Sequence, residues 1–259
     1  MVPAGTVGQI DIWLAFPEEI RHAPLLDTYR ALLTEQERQQ ERRYHFSKDR
    51  HRYLITRALV RTVLSKYAAV APEQWQFTAN AYGKPEIANA VPGVEQLSFN
   101  ISHTDGLVAL AITRNQALGI DVEHLRARGA PLDAASQFFT AHEAQALLAC
   151  PAHMQHDRFF QYWTLKESYI KARGMGLSIP LDQFSFDLQR DAEVGISFDP
   201  RLDDHPSRWR FWQFRIGSDF LMSLCVQRGD ASSHPLRFIR HVPLANEHAI
   251  DCALLRASP

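Results

Sequence analysis

The 259-residue chain is 46% apolar and 22% charged, which is long and apolar enough to bury the core of a soluble globular protein, as one large domain or two smaller ones. Twenty-eight Lys and Arg against 29 Asp and Glu leave a formal charge of -1, so no global excess of one sign points to nucleic acid or a membrane surface, and any basic site must be local. Cys150, Cys225 and Cys252 are odd in number and lack a CxxC pattern, which argues against a disulfide framework and a zinc site.

The first residues, MVPAGTVGQIDIWLAF, lack the basic segment and long apolar run of a signal peptide, and no later stretch is apolar enough to span a bilayer. A cytoplasmic location is expected. Residues 8 to 15 alternate as a strand. A helix is expected from about Pro24 to Arg43, and a second from Ser47, read as its N-cap, with Leu54, Ala58, Val60, Val63 and Leu64 toward a core. Lys48, Arg50, His51, Arg52, Arg57, Arg61 and Lys66 concentrate positive charge on that second helix. They read either as a solvated face or as an anion site.

NAYGKPEI, residues 80 to 87, suits a turn presenting Lys84. LSFNISHT (97 to 104), LVALAIT (107 to 113) and LGIDVEHL (118 to 125) read as successive strands, the first two joined around Asp105-Gly106. Helices are expected near 141 to 149 and at about 154 to 173, the latter ended by Gly174. Beyond Gly176, FSFDL, VGISF, WRFWQFRI and FLMSLCV suggest an antiparallel meander. Each half thus offers helices plus strands, which permits a two-lobed α+β architecture.

In GIDVE, Asp121 and Glu123 lie two apart, so on a strand both carboxylates leave one face while Ile120 and Val122 leave the other. Two like charges side by side are comfortable only if solvated or sharing a cation. On the helix, Glu167 and Lys171 fall together at i,i+4 beside an apolar arc, a pair worth ~0.2–0.5 kcal/mol if merely solvated. Lys166 falls inside the arc, where it either snorkels outward or meets an anion. Together these are three carboxylates able to hold one Mg2+, with Lys84, Lys171 and a basic helix able to meet phosphate oxygens. That composition favours phosphoryl chemistry on a diphosphate.

GKP (83 to 85), FNISH (99 to 103), GIDVE (119 to 123), FFTAHE (138 to 143) and WTLKESYIKARGMGL (163 to 177) stand in the order found in 4'-phosphopantetheinyl transferases. From about Glu35 to Phe186 the sequence resembles their Sfp-type branch. The resemblance implies a monomer of two similar α+β lobes related by a pseudo-twofold, an N-terminal lobe at 1–117 and a C-terminal lobe with the metal site at 118–259, with coenzyme A in the cleft between them. It implies that Asp121, Glu123 and Glu167 bind Mg2+ bridging to the diphosphate, and that Lys171 contacts that region. It also implies that Lys84, Asn100, Ser102 and His103 help hold the nucleotide end and that Glu143 supports the centre. In the segment before the second helix, where the family commonly places Lys or Arg near the 3'-phosphate, this chain reads Glu37-Arg38-Gln39-Gln40-Glu41-Arg42-Arg43. Arg38, Arg42, Arg50 and Arg52 are the replacements, with Arg52 first because it lies in the cationic helix. His103 has a structural hydrogen-bonding alternative, but its place in FNISH favours phosphate.

The implied reaction moves the 4'-phosphopantetheine arm of coenzyme A to a serine of an apo acyl, aryl or peptidyl carrier protein of fatty-acid, polyketide or nonribosomal-peptide synthesis, releasing 3',5'-ADP. Glu167 is the candidate base, directly or through water. The alternative enzyme is a Mg2+-dependent nuclease or phosphodiesterase, disfavoured by the lack of an extended basic and aromatic strip. A non-catalytic carrier- or nucleotide-binding module is the third reading. Neither nucleic acid nor membrane is an expected partner. RGMGLSIP beside the site is the expected carrier contact.

Overall fold

The computed structural model describes residues 8–127, 129–229 and 233–259. Residues 1–7, on which the expectation about a leader partly falls, and Arg128 lie outside the described residues.

The first strand, β1 (Ile10–Ala15), is followed by three helices, α1 (Ala23–Leu32), α2 (Glu35–Arg43) and α3 (Ser47–Leu64). The single helix expected from Pro24 to Arg43 is therefore broken. Thr34 starts α2 with a capping box: its hydroxyl accepts from Glu37 N at 3.2 Å, and the Glu37 carboxylate accepts from Thr34 N at 2.9 Å. At α3 the cap position belongs to Phe46, with Ser47 already the first helical residue.

A short hairpin follows, β2 (Phe77–Ala79) and β3 (Pro85–Ile87), then β4 (Leu97–Thr104), β5 (Leu107–Arg114) and β6 (Leu118–His124). The second half supplies α4 (Ala135–Phe138), α5 (Ala141–Leu148) and the long α6 (Ala152–Arg173), which stops at Gly174 in the left-handed region, φ 66°. Seven strands complete the fold: β7 (Phe184–Asp187), β8 (Gly195–Phe198), β9 (Trp209–Ile216), β10 (Phe220–Gln227), β11 (Leu236–Val242), β12 (Asn246–Ala249) and β13 (Ala253–Ala257).

These strands do not form one meander. The first main sheet has the order β12-β11-β1-β5-β4 and the second β13-β9-β10-β6, while β7 and β8 pair apart. The chain therefore returns to the first sheet after building the second: β11 runs parallel to β1, Ile10 opposite Leu236 and Leu14 opposite Arg240. The lobe expected over 118–259 thus lends 236–249 to the sheet of the other lobe.

Period-two alternation sorts the side chains into layers. On β1, Trp13 and Ala15 face a core shared with Leu54, Ile55, Ala58 and Leu59 of α3, whereas Ile12 and Leu14 face the second sheet. On the second sheet, Phe211, Leu221 and Cys225 pack under Leu165, Tyr169 and Ala172 of α6, while Ile120, Val122, Phe214 and Leu224 meet the first sheet. The result is a two-lobed α+β protein in four layers, helix, sheet, sheet, helix, with α3 and α6 outside. Among the described residues no helix is long and apolar enough to cross a membrane.

Candidate functional site

The site lies where β4, β6, α6 and the β2–β3 turn meet. Strand β6 pairs with β10 along one edge. Along the other edge its amides are met by side chains of β4: Ile120 N donates to Asn100 Oδ1 at 2.9 Å, Val122 N to Ser102 Oγ at 3.2 Å and His124 N to Thr104 Oγ1 at 3.2 Å. Three short polar side chains at every second position thus join the two sheets and satisfy an edge that would otherwise be bare.

Ile120 and Val122 enter the core between the sheets, so Gly119, Asp121 and Glu123 take the opposite face, toward α6. Gly119 is what lets helix and strand approach. A Cβ there would fall inside van der Waals contact of Ser168 O and Ala172 N and stand 2.9 Å from Lys171 C.

The close approach brings the helix side chains onto the strand. Lys171 Nζ donates to Asp121 Oδ1 at 2.7 Å and to Ser102 Oγ at 2.9 Å, and Ser102 donates to the same Asp121 oxygen at 2.9 Å. Asp121 Oδ2 is buried with no hydrogen-bond partner. Glu167 lies within the field of both strand carboxylates. Burial first, then repulsion by Asp121 and by Glu123, pushes its pKa up to about 7, against the pull of Lys171. These groups line a cleft of about 470 Å³ together with Lys84 and Asn100, and Ile101, Trp163 and Ile170 supply apolar wall.

His103 follows Ser102 on β4 and is exposed as a residue. Loss of solvent around the ring, followed by the fields of Arg52 and Lys171, pushes its pKa below 6.5. Arg52, itself bonded to Asp49 at 2.7 Å, is therefore a cation of α3 whose field reaches His103. Much of the rest of that helix's charge is spent elsewhere. Arg57 and Arg61 pair with Glu37, Arg61 also donates to Pro72 O and Trp75 O at 3.0 Å, and Lys66, just past the helix, meets Glu247 at 2.8 Å. A larger concavity of about 870 Å³, lined by Arg38, Arg42 and Arg50, lies among α1, α2 and the start of α3. The carboxylates on its wall, Glu18 and Glu41, are paired with Arg21 and Arg30.

Glu143 does not reach the cleft. Thr140 starts α5 with a capping box in which Thr140 N donates to Glu143 Oε2 at 2.8 Å, and Phe186 N donates to its Oε1 at 2.8 Å. Lys166 Nζ stands 2.9 Å from Oε2, and both side chains are fully buried. Lys166 also donates to Leu181 O and Phe184 O at 2.7 Å each. The lysine inside the apolar arc has met its anion, behind α6. Whatever Glu143 contributes passes through the helix.

Lys84 lines the cleft, but its ammonium donates to backbone carbonyls: Lys171 O at 2.7 Å, Leu118 O at 3.2 Å and Ala172 O at 3.4 Å. Asn100 and Ser102 likewise bond to β6. Sequence reading missed Gly119, Asn80 and Thr104. The Asn-x-Ser-x-Thr alternation at 100, 102 and 104 was the visible signal for the side-chain ladder.

Comparison with known proteins agrees with this geometry. Residues 117–225 match the 4'-phosphopantetheinyl transferase superfamily, and residues 22–115 match the family described as 4'-phosphopantetheinyl transferase, N-terminal. The chain is 32% identical over 204 residues to 4'-phosphopantetheinyl transferase Sfp of Bacillus subtilis (strain 168), covering 79% of this chain and 86% of that protein. It is 30% identical over 194 residues to 4'-phosphopantetheinyl transferase psf-1 of Bacillus pumilus, covering 74% and 78%. It is 37% identical over 152 residues to 4'-phosphopantetheinyl transferase gsp of Aneurinibacillus migulanus, covering 59% and 60%. With carboxylates and a lysine meeting between two lobes, and both halves of the chain matched, the chain belongs to the 4'-phosphopantetheinyl transferase superfamily as an Sfp-like enzyme of that class.

Proposed function

We propose that this enzyme carries out the Mg2+-dependent transfer of the 4'-phosphopantetheine arm of coenzyme A to a serine of an apo acyl, aryl or peptidyl carrier protein, releasing 3',5'-ADP. The observation that carries the reading is the meeting of Asp121 and Glu167 with Lys171 between the two lobes.

The donor set fits a small hard cation. Asp121 Oδ2 is a buried carboxylate oxygen without a partner, and Glu167 resists ionisation beside Asp121 and Glu123, a repulsion that a cation would relieve. Among the described residues no group of three His, Cys, Asp or Glu side chains is gathered tightly enough to hold a metal by itself. Magnesium suits such a site, since it takes a few carboxylates and completes its shell with phosphate oxygens and water. Asp121, Glu123 and Glu167 would hold it, and when bound it supplies positive charge to the diphosphate oxygens.

The chain's own residues do the remainder. Lys171, whose ammonium rests on Asp121, exchanges that carboxylate for a phosphate oxygen, while Arg52 and His103 extend the donor surface toward the nucleotide end. Glu167 takes the proton of the carrier serine, directly or through water. The serine oxygen forms a bond to the phosphorus bearing the pantetheine arm, and the bond from that phosphorus to the oxygen bridging to the adenosine-side phosphate breaks. The electron pair leaves with 3',5'-ADP, and the two lobes hold the reactants in line.

We take the protein to act as a cytoplasmic monomer, without nucleic acid or membrane as partner. The three cysteines are free thiols, which suits a reducing compartment. The exposed part of residues 173–180, beside the cleft, is the surface we assign to the carrier. Release of 3',5'-ADP from coenzyme A, measured with and without apo carrier and Mg2+, tests the reading. Release needing both supports it, whereas cleavage of coenzyme A without a carrier would replace it with a phosphodiesterase.

A further inference from the structure

The turn between β2 and β3 leaves the first lobe and ends against the second. Asn80 organises it: its Oδ1 accepts from Tyr82 N at 2.9 Å and from Lys84 N at 3.0 Å, and Gly83 completes the turn at φ 87°. Lys84 therefore extends from a constrained backbone.

What it meets is the end of α6, whose last carbonyls have no helical partner and form the negative end of the helix dipole. Lys84 Nζ donates to Lys171 O, Ala172 O and Leu118 O, and Asn80 Nδ2 donates to Gly174 O at 2.8 Å. An ammonium has three N–H donors, and each of these has an acceptor. Gly174 makes room for the arrangement, since a Cβ there would stand 3.0 Å from Lys84 Cδ and 3.3 Å from Asn80 Nδ2. The nearest carbonyl belongs to Lys171, whose own ammonium rests on Asp121, and another belongs to Leu118, which opens the strand of Asp121 and Glu123. One cation from the first lobe thus ties together the two elements that carry the site.

We propose that Lys84 is a positioning residue: with Asn80 it latches the first lobe's hairpin onto the last turn of α6 and the start of β6, setting where Glu167 and Lys171 stand against Asp121. The proposal rests on the transferase reading above and deepens it. It differs from the role implied by resemblance, in which Lys84 holds the nucleotide, because a phosphate contact would cost the ammonium one of its carbonyls.

Three variants test it: Lys84→Met, which keeps the stem and removes the donors; Lys84→Arg, which keeps cationic donors; and Asn80→Ala, which removes the bond to Gly174 and the turn's bonds from Tyr82 N and Lys84 N without touching the charge. The measurements are kcat and KM for coenzyme A, and amide hydrogen exchange over residues 118–121 and 170–176 in the ligand-free protein. For Lys84→Met the expected result is a fall in kcat of about tenfold or more with KM for coenzyme A within about threefold, and faster exchange in both segments. Asn80→Ala moves exchange in the same direction by less, and Lys84→Arg recovers part of kcat. A rise in KM of about tenfold or more with unchanged exchange would make Lys84 a phosphate ligand and overturn the latch, as would unchanged exchange in both Lys84→Met and Asn80→Ala. Exchange is read on the free protein, so a chain that failed to transfer would still test the latch, and a failed latch would leave transfer standing.

Discussion

Lys171 Nζ rests 2.7 Å from Asp121 Oδ1, while Oδ2 of the same carboxylate is buried without a partner. One oxygen is neutralised by the helix, and in the proposed reading the other takes a second cation. Asp121→Asn keeps the shape of the side chain and the hydrogen bonds of Ser102 but removes the charge. Transfer should fall on the order of 100-fold, and Mn2+ binding, followed by its paramagnetic signal, should weaken by about tenfold or more. Wild-type Mn2+ affinity in this variant would remove Asp121 from the metal site.

Glu143 and Lys166 are fully buried and 2.9 Å apart, so cutting one partner strands the other's charge. Glu143→Ala should destabilise the fold by about 3–5 kcal/mol in urea unfolding. The double variant Glu143→Leu, Lys166→Met should recover part of that loss, since no uncompensated charge remains. A double variant as unstable as Glu143→Leu and Lys166→Met summed would contradict a coupled pair.

Gly119→Ala tests the close approach of β6 and α6. Because the obstructing groups, Ser168 O, Ala172 N and Lys171 C, are all backbone atoms, the helix must move away. A cost of about 1–3 kcal/mol is expected, with loss of activity exceeding what the remaining folded fraction explains. Activity that simply tracks folded fraction would mean the helix position is not critical.

The elements nearest the site were the most legible in the sequence. FNISHT, GIDVE and the helix through Lys171 carry strong periodicity and unambiguous ends, such as Asp105-Gly106 and Gly174, and their strand and helix boundaries came out within a few residues. What stayed hidden was long-range. Nothing local says that 236–242 returns to pair with β1, because parallel pairing leaves no mark in either strand. The break at Thr34 was written in its capping box and overlooked, as was the capping box that turns Glu143 inward. The charge of Lys166 was correctly placed inside the apolar arc, but its partner lies on another helix and so could not be named.

Acid sensitivity is expected from His241. Burial, with Lys66 adding to it and Glu247 and Asn246 opposing, lowers its pKa from 6.5 to about 4. The folded form resists protonation that the unfolded chain accepts below 6.5, so this contribution is fully present above pH 6.5 and is lost as pH falls toward 4. The loss is up to about 3 kcal/mol. His241→Phe, which keeps a ring against Trp13, should flatten unfolding free energy measured against pH over that window. An unchanged slope would move the acid sensitivity to another group.

The central claim is tested most directly by the intact mass of a purified apo carrier protein after incubation with this enzyme, coenzyme A and Mg2+, beside EDTA and Glu167→Ala controls. The expected result is a gain of one phosphopantetheine group with the unmodified enzyme and free metal, absent in both controls. No gain across acyl, aryl and peptidyl carriers, from a protein that still binds coenzyme A, would contradict the assignment.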